Sequence, residues 1–64
     1  MQIFVAYTFD NKEKHKIFFK NKIMVLKIND LSEITEDILK DLENTLEAFE
    51  EDIGTITIIN YKAI

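Results

Sequence analysis

The sequence contains no cysteine, proline, arginine or tryptophan, and it has one glycine and one histidine. Without cysteine there are no disulfide bonds and no thiolate metal sites. The single His15 lacks the further ligands that a zinc site needs. A catalytic nucleophile needs a base and an orienting group beside it, and the sequence shows no such set. We therefore expect no catalytic residues, no metal and no cofactor.

The chain is short, and its 64 residues predict a single domain spanning residues 1–64. A domain of this size buries only about 60% of its unfolded surface. With disulfides and metals excluded, association is the remaining source of added stability, so we expect association either as a homodimer or with a target. No apolar run approaches the roughly 20 residues that cross a membrane, and "MQIFVAYTF" lacks the features of a signal peptide. We therefore expect a cytoplasmic protein without a membrane partner.

The apolar pattern predicts the order strand, strand, helix, strand. The segment "QIFVAYTF" is apolar on both faces, as in a central strand, and "DNKEK" has turn chemistry. The segment "HKIFFKNKIMVLKI" favours one long strand, with a bulge or a tight turn at "KNK" as alternatives. The closing "TITIINYKAI" is rich in β-branched and aromatic residues, which predicts a third strand.

Residues 31–53 carry apolar side chains at spacings of three and four, which predicts a helix with a broad core-facing stripe. Asp30 and Glu33 resemble a capping box, with Ser32 and Thr35 as alternative caps. The helix should therefore begin close to residue 31 and continue to the end of the stripe.

The helix is expected to end at Gly54, where a left-handed residue is favoured. A right-handed crossover then places the third strand beside the first. The predicted fold class is α+β, with ββαβ order. Its three-stranded antiparallel sheet has the strand order 2-1-3, and one helix packs on one face.

Alternation divides the second strand between the two faces of the sheet. One face receives Ile17, Phe19, Ile23 and Val25. The other receives the lysines, and we expect it to be the open face, pointing away from the helix. Exposed apolar patches usually mark interfaces, so the open face becomes a candidate contact with a second copy or a partner. Its members are Phe4, Phe18, Met24 and Leu26.

Charge is strongly divided along the chain. Residues 30–52 contain ten acidic residues and one lysine, whereas the rest has seven lysines and two acids, for a net charge of −4. The helix acids fall opposite the apolar stripe, and like charges four residues apart cost about 0.2–0.5 kcal/mol each. We predict a carboxylate array that engages the basic nucleic-acid-binding surface of a partner protein. Its residues are Glu33, Glu36, Asp37, Glu43, Glu47, Glu50 and Glu51.

Other interpretations of these charges stay open. The acidic face is also typical of a solvated surface on a homodimeric structural or regulatory domain. Internal pairing with the sheet lysines is limited if those lysines point away from the helix. A third hypothesis is a weak binder of single-stranded nucleic acid through the lysine-bearing sheet face. The absence of arginine and the net charge of −4 argue against nucleic acid as a partner.

Several segments together resemble small acidic proteins of phages and prophages in low-GC bacteria. They are "MQIFVAYTF", "FFKNKIMVLKIND", the acidic helix and "ITIINYKAI". The resemblance implies a phage-encoded inhibitor of a bacterial defence effector, of the anti-CRISPR type. It also implies action by binding, in some cases by imitating DNA, in the cytoplasm of the host cell. It brings no family site residues.

Overall fold

A computed structural model describes residues 1–64 as a three-stranded antiparallel sheet with one helix on one face. The strands are β1 (Gln2–Asn11), β2 (Lys16–Val25) and β3 (Gly54–Ala63), and the helix α1 spans Glu36–Ala48. In the sheet, β1 lies between β2 and β3 and is antiparallel to both. The predicted α+β fold class and the strand order 2-1-3 are therefore confirmed.

The core lies between the sheet and α1. The central strand β1 directs alternate side chains toward the helix, and Ile3 and Val5 are completely buried there. Burying one such side chain is worth about 1.5–3 kcal/mol, so these few residues carry much of the stability. The buried apolar core consists of Ile3, Val5, Tyr7, Phe9, Leu42, Leu46 and Ile56.

β2 is one continuous strand, but its two faces are the reverse of the prediction. The turn at residues 12–15 sets Lys16 opposite Asn11, whose side chain is buried. Paired residues of antiparallel strands point to the same face, so even-numbered residues of β2 share the helix side. Phe18 and Met24 accordingly pack against the core. The outward side chains are 58–79% exposed: Ile17, Phe19, Ile23 and Val25.

The predicted open-face patch is therefore misplaced for three of its four members. Phe18, Met24 and Leu26 are half-buried against the core, and Phe4 alone lies on the open face. The lysines at positions 16, 20 and 22 also share the register of the helix side. The expected combination of these lysines with an open aromatic platform does not form.

The helical segment begins later than expected. The capping box of Asp30 and Glu33 is confirmed, but it caps a separate 3-10 turn, Leu31–Glu33. The chain then becomes extended, and Thr35 caps α1 by accepting a hydrogen bond from the Ile38 amide at 3.3 Å. Of the three caps named from the sequence, Asp30 and Thr35 are used, each by its own helical element, and Ser32 is not.

The helical segment also ends earlier than its apolar stripe suggests. Phe49 and Ile53 are 65% and 73% exposed, because the chain leaves the helix before them. Gly54 opens β3 and does not have a positive φ, so its predicted role as a left-handed cap is wrong. A Cβ at this position would collide with the Phe9 ring and the Asp10 carbonyl oxygen. Close packing, not turn geometry, requires glycine here.

α1 lies across the β3 side of the sheet and leaves β2 at the margin of the covered face. Long side chains on the helix side of β2 can therefore extend past the core to its rim. The single α-helix is neither long nor apolar enough to cross a membrane.

Candidate functional site

Three of the seven predicted partner-binding carboxylates are engaged inside the molecule. Glu33 accepts hydrogen bonds from the amides of Asn29 and Asp30, at 2.7 and 2.8 Å. Glu43 accepts one from the Ile58 amide at 3.0 Å, close to the β-bulge where the register of β1 and β3 shifts. A bulge disrupts the backbone ladder, so Glu43 supplies an acceptor that the sheet does not and ties α1 to β3.

Glu50 is the third engaged carboxylate. It forms an ion pair of 2.5 Å with Lys20, and only 15% of its side chain is exposed. Lys20 reaches it because Lys20 faces the helix side, where its ammonium also lies 5.4 Å from the centre of the Phe9 ring. The expectation that sheet lysines point away from the helix acids is therefore wrong. Lys20 offsets negative charge just beyond the end of α1.

Asn11 also holds the chain beyond α1 in place, through hydrogen bonds of its side chain. Its buried side chain donates a 2.7 Å hydrogen bond to Asp52 and accepts bonds from the amides of Glu13 and Lys14. The Asn11 bond, together with the positive charge of Lys14 at 3.7 Å, lowers the pKa of Asp52 below its ordinary value of 3.8. The sequence indicates a turn at "DN" but contains no signal for this contact between residues 41 positions apart.

The remaining acids of the helix are exposed, and their carboxylates have no hydrogen-bond or ion-pair partner. They include four residues of α1 that we call the outer carboxylates: Glu36, Asp37, Asp41 and Glu47. At 100° and 1.5 Å per residue they occupy an arc of about 140° and a length of about 16 Å, opposite Leu42 and Leu46. Asp41 was not among the predicted binding residues. Glu51, which was, is exposed beyond the end of the helix.

A cleft of about 400 Å³ lies between the β1–β2 turn and the chain that follows α1. Its lysines already pair with acids of the same cleft, Lys20 with Glu50 and Lys14 with Asp52. No three potential metal ligands come together anywhere in the structure. His15 lies in the exposed turn with a φ of 53°. The two lysines of the cleft thus serve the fold, and Glu51 is its one acid without a partner.

The other surface without a partner is the face of the sheet opposite α1, which we call the open face. No element of the chain covers it. Of its two charged residues, Asp10 pairs with Lys12 at 2.7 Å, and Lys62 lies 5.5 Å from the Phe4 ring centre. The apolar side chains of the open face are Phe4, Ala6, Ile17, Phe19, Ile23 and Val25.

Comparison with protein-family models, curated proteins and solved structures finds no match for this chain. The similarity to phage proteins therefore stays a prediction from the sequence. Two surfaces of the molecule have no covering element or internal partner, the outer carboxylates and the open face.

Proposed function

We propose that this chain is a non-catalytic protein-binding module that presents the outer carboxylates of α1 to a basic surface on a partner protein. The supporting observation is the unequal use of the acids. Glu33, Glu43 and Glu50 hold parts of the fold together, whereas the outer carboxylates make no internal contact.

One pair of the outer carboxylates costs stability, although Glu36 and Asp37 lie in the first turn of α1, where negative charge is favourable. Asp37 and Asp41 are a like-charge pair four residues apart, which costs about 0.2–0.5 kcal/mol in a helix. Lys40, the one lysine of this region, forms no ion pair in the structure. A basic partner would relieve this repulsion, so the free energy lost in the isolated helix would return on binding.

The dimensions of the surface fit a groove that ordinarily holds phosphates. Four carboxylates over about 16 Å of helix cover the length that about five phosphates occupy along one nucleic-acid strand, at about 3.4 Å per phosphate. Opposite potentials raise the association rate, and salt screens them with a Debye length of about 10 Å at 0.1 M. Within this class of partner, the resemblance to phage proteins favours a bacterial defence effector whose nucleic-acid groove the chain would block.

The test compares two variants with four substitutions each at the outer carboxylates. The neutral variant carries Glu36→Gln, Asp37→Asn, Asp41→Asn and Glu47→Gln. The control exchanges aspartate and glutamate at the same positions and so preserves every charge. Because these carboxylates have no internal hydrogen-bond or ion-pair partner, we expect both variants to fold. The neutral variant loses the Asp37–Asp41 repulsion but also the favourable negative charge of Glu36 and Asp37 in the first turn of α1, so we expect it to be no more stable than the wild type.

We expect the wild type and the control to capture the same protein from a bacterial lysate. Purified, this protein should release the chain at about 0.5 M salt, where screening is strong, and on addition of its own nucleic acid. The neutral variant should associate with it far more slowly. Equal affinity of the neutral variant and the wild type would contradict the proposal.

The exposed apolar open face favours a second candidate, a homodimeric structural or regulatory domain whose helix is only solvated. In that case the neutral variant would be less soluble, because surface carboxylates improve solubility, and would otherwise behave as the wild type does.

A further inference from the structure

We propose that the open face is the interface of a symmetric homodimer, with the two-fold axis parallel to the row formed by Asn21, Ala6 and Asn60. The two sheets would face each other at about 10 Å, with each α1 on an outer side. This surface is separate from the outer carboxylates. The inference therefore stands independently of the proposed function.

The side-chain pattern of β2 supports a two-fold contact, because such an interface must be complementary to itself. On the open face Asn21 is central, with two apolar side chains on either side along the strand. Rotation about the axis places Ile17 against Val25 of the second copy. It places Phe19 against Ile23 in the same way, so apolar residues meet apolar residues at all four positions.

The row formed by Asn21, Ala6 and Asn60 supplies space and a hydrogen bond at the centre of the contact. Ala6 is paired with Asn21 on one side and Asn60 on the other, and its small side chain leaves room for Phe4 and Phe19. An asparagine amide both donates and accepts, so Asn21 can bond its own copy across the axis. A single asparagine in an apolar contact specifies register and oligomeric state in coiled coils, and Asn21 is placed to do so here.

Charge also favours a second copy on this face. The chain carries a net charge of −4, and face-to-face contact keeps the two acidic helices on opposite sides of two sheets. Asp10 and Lys62 are the only charged residues of the face. The rotation sets Asp10 over Gln2 and Lys62 over Thr57 of the other copy, so no like charges meet.

The available area is sufficient. The molecule measures 38 × 19 × 16 Å, which limits the area of one face to about 600–700 Å² and the total that contact removes to about 1,200–1,400 Å², the lower part of the range for specific interfaces. The isolated chain exposes 4680 Å². A monomeric protein of its mass typically exposes about 4,300 Å². The excess has the sign expected of a subunit without its partner.

Sedimentation equilibrium tests the proposal with the full chain. We expect the wild type to sediment at about twice the chain mass at high micromolar concentration and to dissociate on dilution, with a melting temperature that rises with concentration. Ile23→Lys should sediment at 7.6 kDa over the same range. The matched control is Ile53→Lys, at an exposed isoleucine outside the open face, and it should remain dimeric.

Asn21→Val tests the axis itself. With the central amide replaced by an apolar side chain, we expect tighter association and species larger than a dimer, because the register is no longer specified. A wild type that is monomeric at high micromolar concentration would overturn the proposal. A dimer that persists in Ile23→Lys would also overturn it, because the contact would then lie outside the open face. So would an Asn21→Val variant that sediments as the wild type does.

Discussion

At the scale of single residues, the buried side-chain amide of Asn11 connects two parts of the fold in a chain that has no disulfide. All of its side-chain hydrogen-bonding partners come from the turn or from Asp52, and no buried side-chain polar atom of the protein lacks a partner. A buried amide without such partners would cost about 1–3 kcal/mol. Asn11 thereby joins the β1–β2 turn to the chain beyond α1 without a disulfide.

The Asn11–Asp52 contact predicts a specific dependence of stability on pH. The pKa of folded Asp52 is lowered below 3.8, so its charged form stabilises the fold fully above pH 3.8, and this contribution is lost as the pH falls through the folded pKa. We expect Asp52→Asn to flatten the acid limb of the unfolding free energy, measured by urea denaturation between about pH 2 and 6. The control Glu51→Gln, at an exposed acid without a partner, should keep the wild-type profile. An unchanged acid limb in Asp52→Asn would show that this contact does not stabilise the fold.

At the scale of elements, the apolar stripe predicted for the helix contains both residues that are buried in the core and residues that are exposed. Leu46 is 1% exposed in the core, whereas Phe49 is 65% exposed and contacts the Lys22 ammonium, 4.0 Å from its ring centre. We expect Leu46→Ala to cost about 2–5 kcal/mol of unfolding free energy. Phe49→Ala should cost less than about 1 kcal/mol, the scale of an exposed cation–π contact. Chemical denaturation of both variants measures the difference, and equal losses would place Phe49 in the core after all.

The strand order was predictable from the sequence because the two-sided β1 requires a central position. The faces of β2 were not, because they depend on the turn. Asn11 continues the buried series of β1, and a turn of four residues brings Lys16 opposite it, which sends the apolar set of β2 outward. Shifting the register by one residue would exchange the two sets. Composition alone favours the shifted register, because the shifted register would bury isoleucine in place of lysine.

The candidate site also has acids whose positions follow from the sequence and acids whose positions do not. Helical periodicity correctly separates the acids from the apolar stripe, so the exposed positions of Glu36, Asp37 and Glu47 follow from the sequence. The engagement of Glu43 depends on a β-bulge, and that of Glu50 depends on the face taken by Lys20. Neither feature leaves a local signal in the residues involved.

At the scale of the whole molecule, the fold separates two kinds of surface. The outer carboxylates lie on the solvent side of α1, and the open face lies on the opposite side of the sheet. Of the acids beyond the end of α1, Glu50 and Asp52 are offset by Lys20 and Lys14, whereas Glu51 has no partner. What remains for partners is a compact acidic surface on one side and an apolar sheet on the other.

β2 turns its apolar set away from α1, and isoleucine methyl accessibility tests this orientation most directly. The protein would be labelled at isoleucine methyl groups and studied by NMR with a soluble paramagnetic agent, dilute enough to be monomeric. We expect the agent to broaden the signals of Ile17 and Ile23 as strongly as that of the exposed Ile53. The signals of the buried Ile3 and Ile56 should stay sharp. Ile17 and Ile23 signals as protected as those of Ile3 in the dilute monomer would contradict the claim.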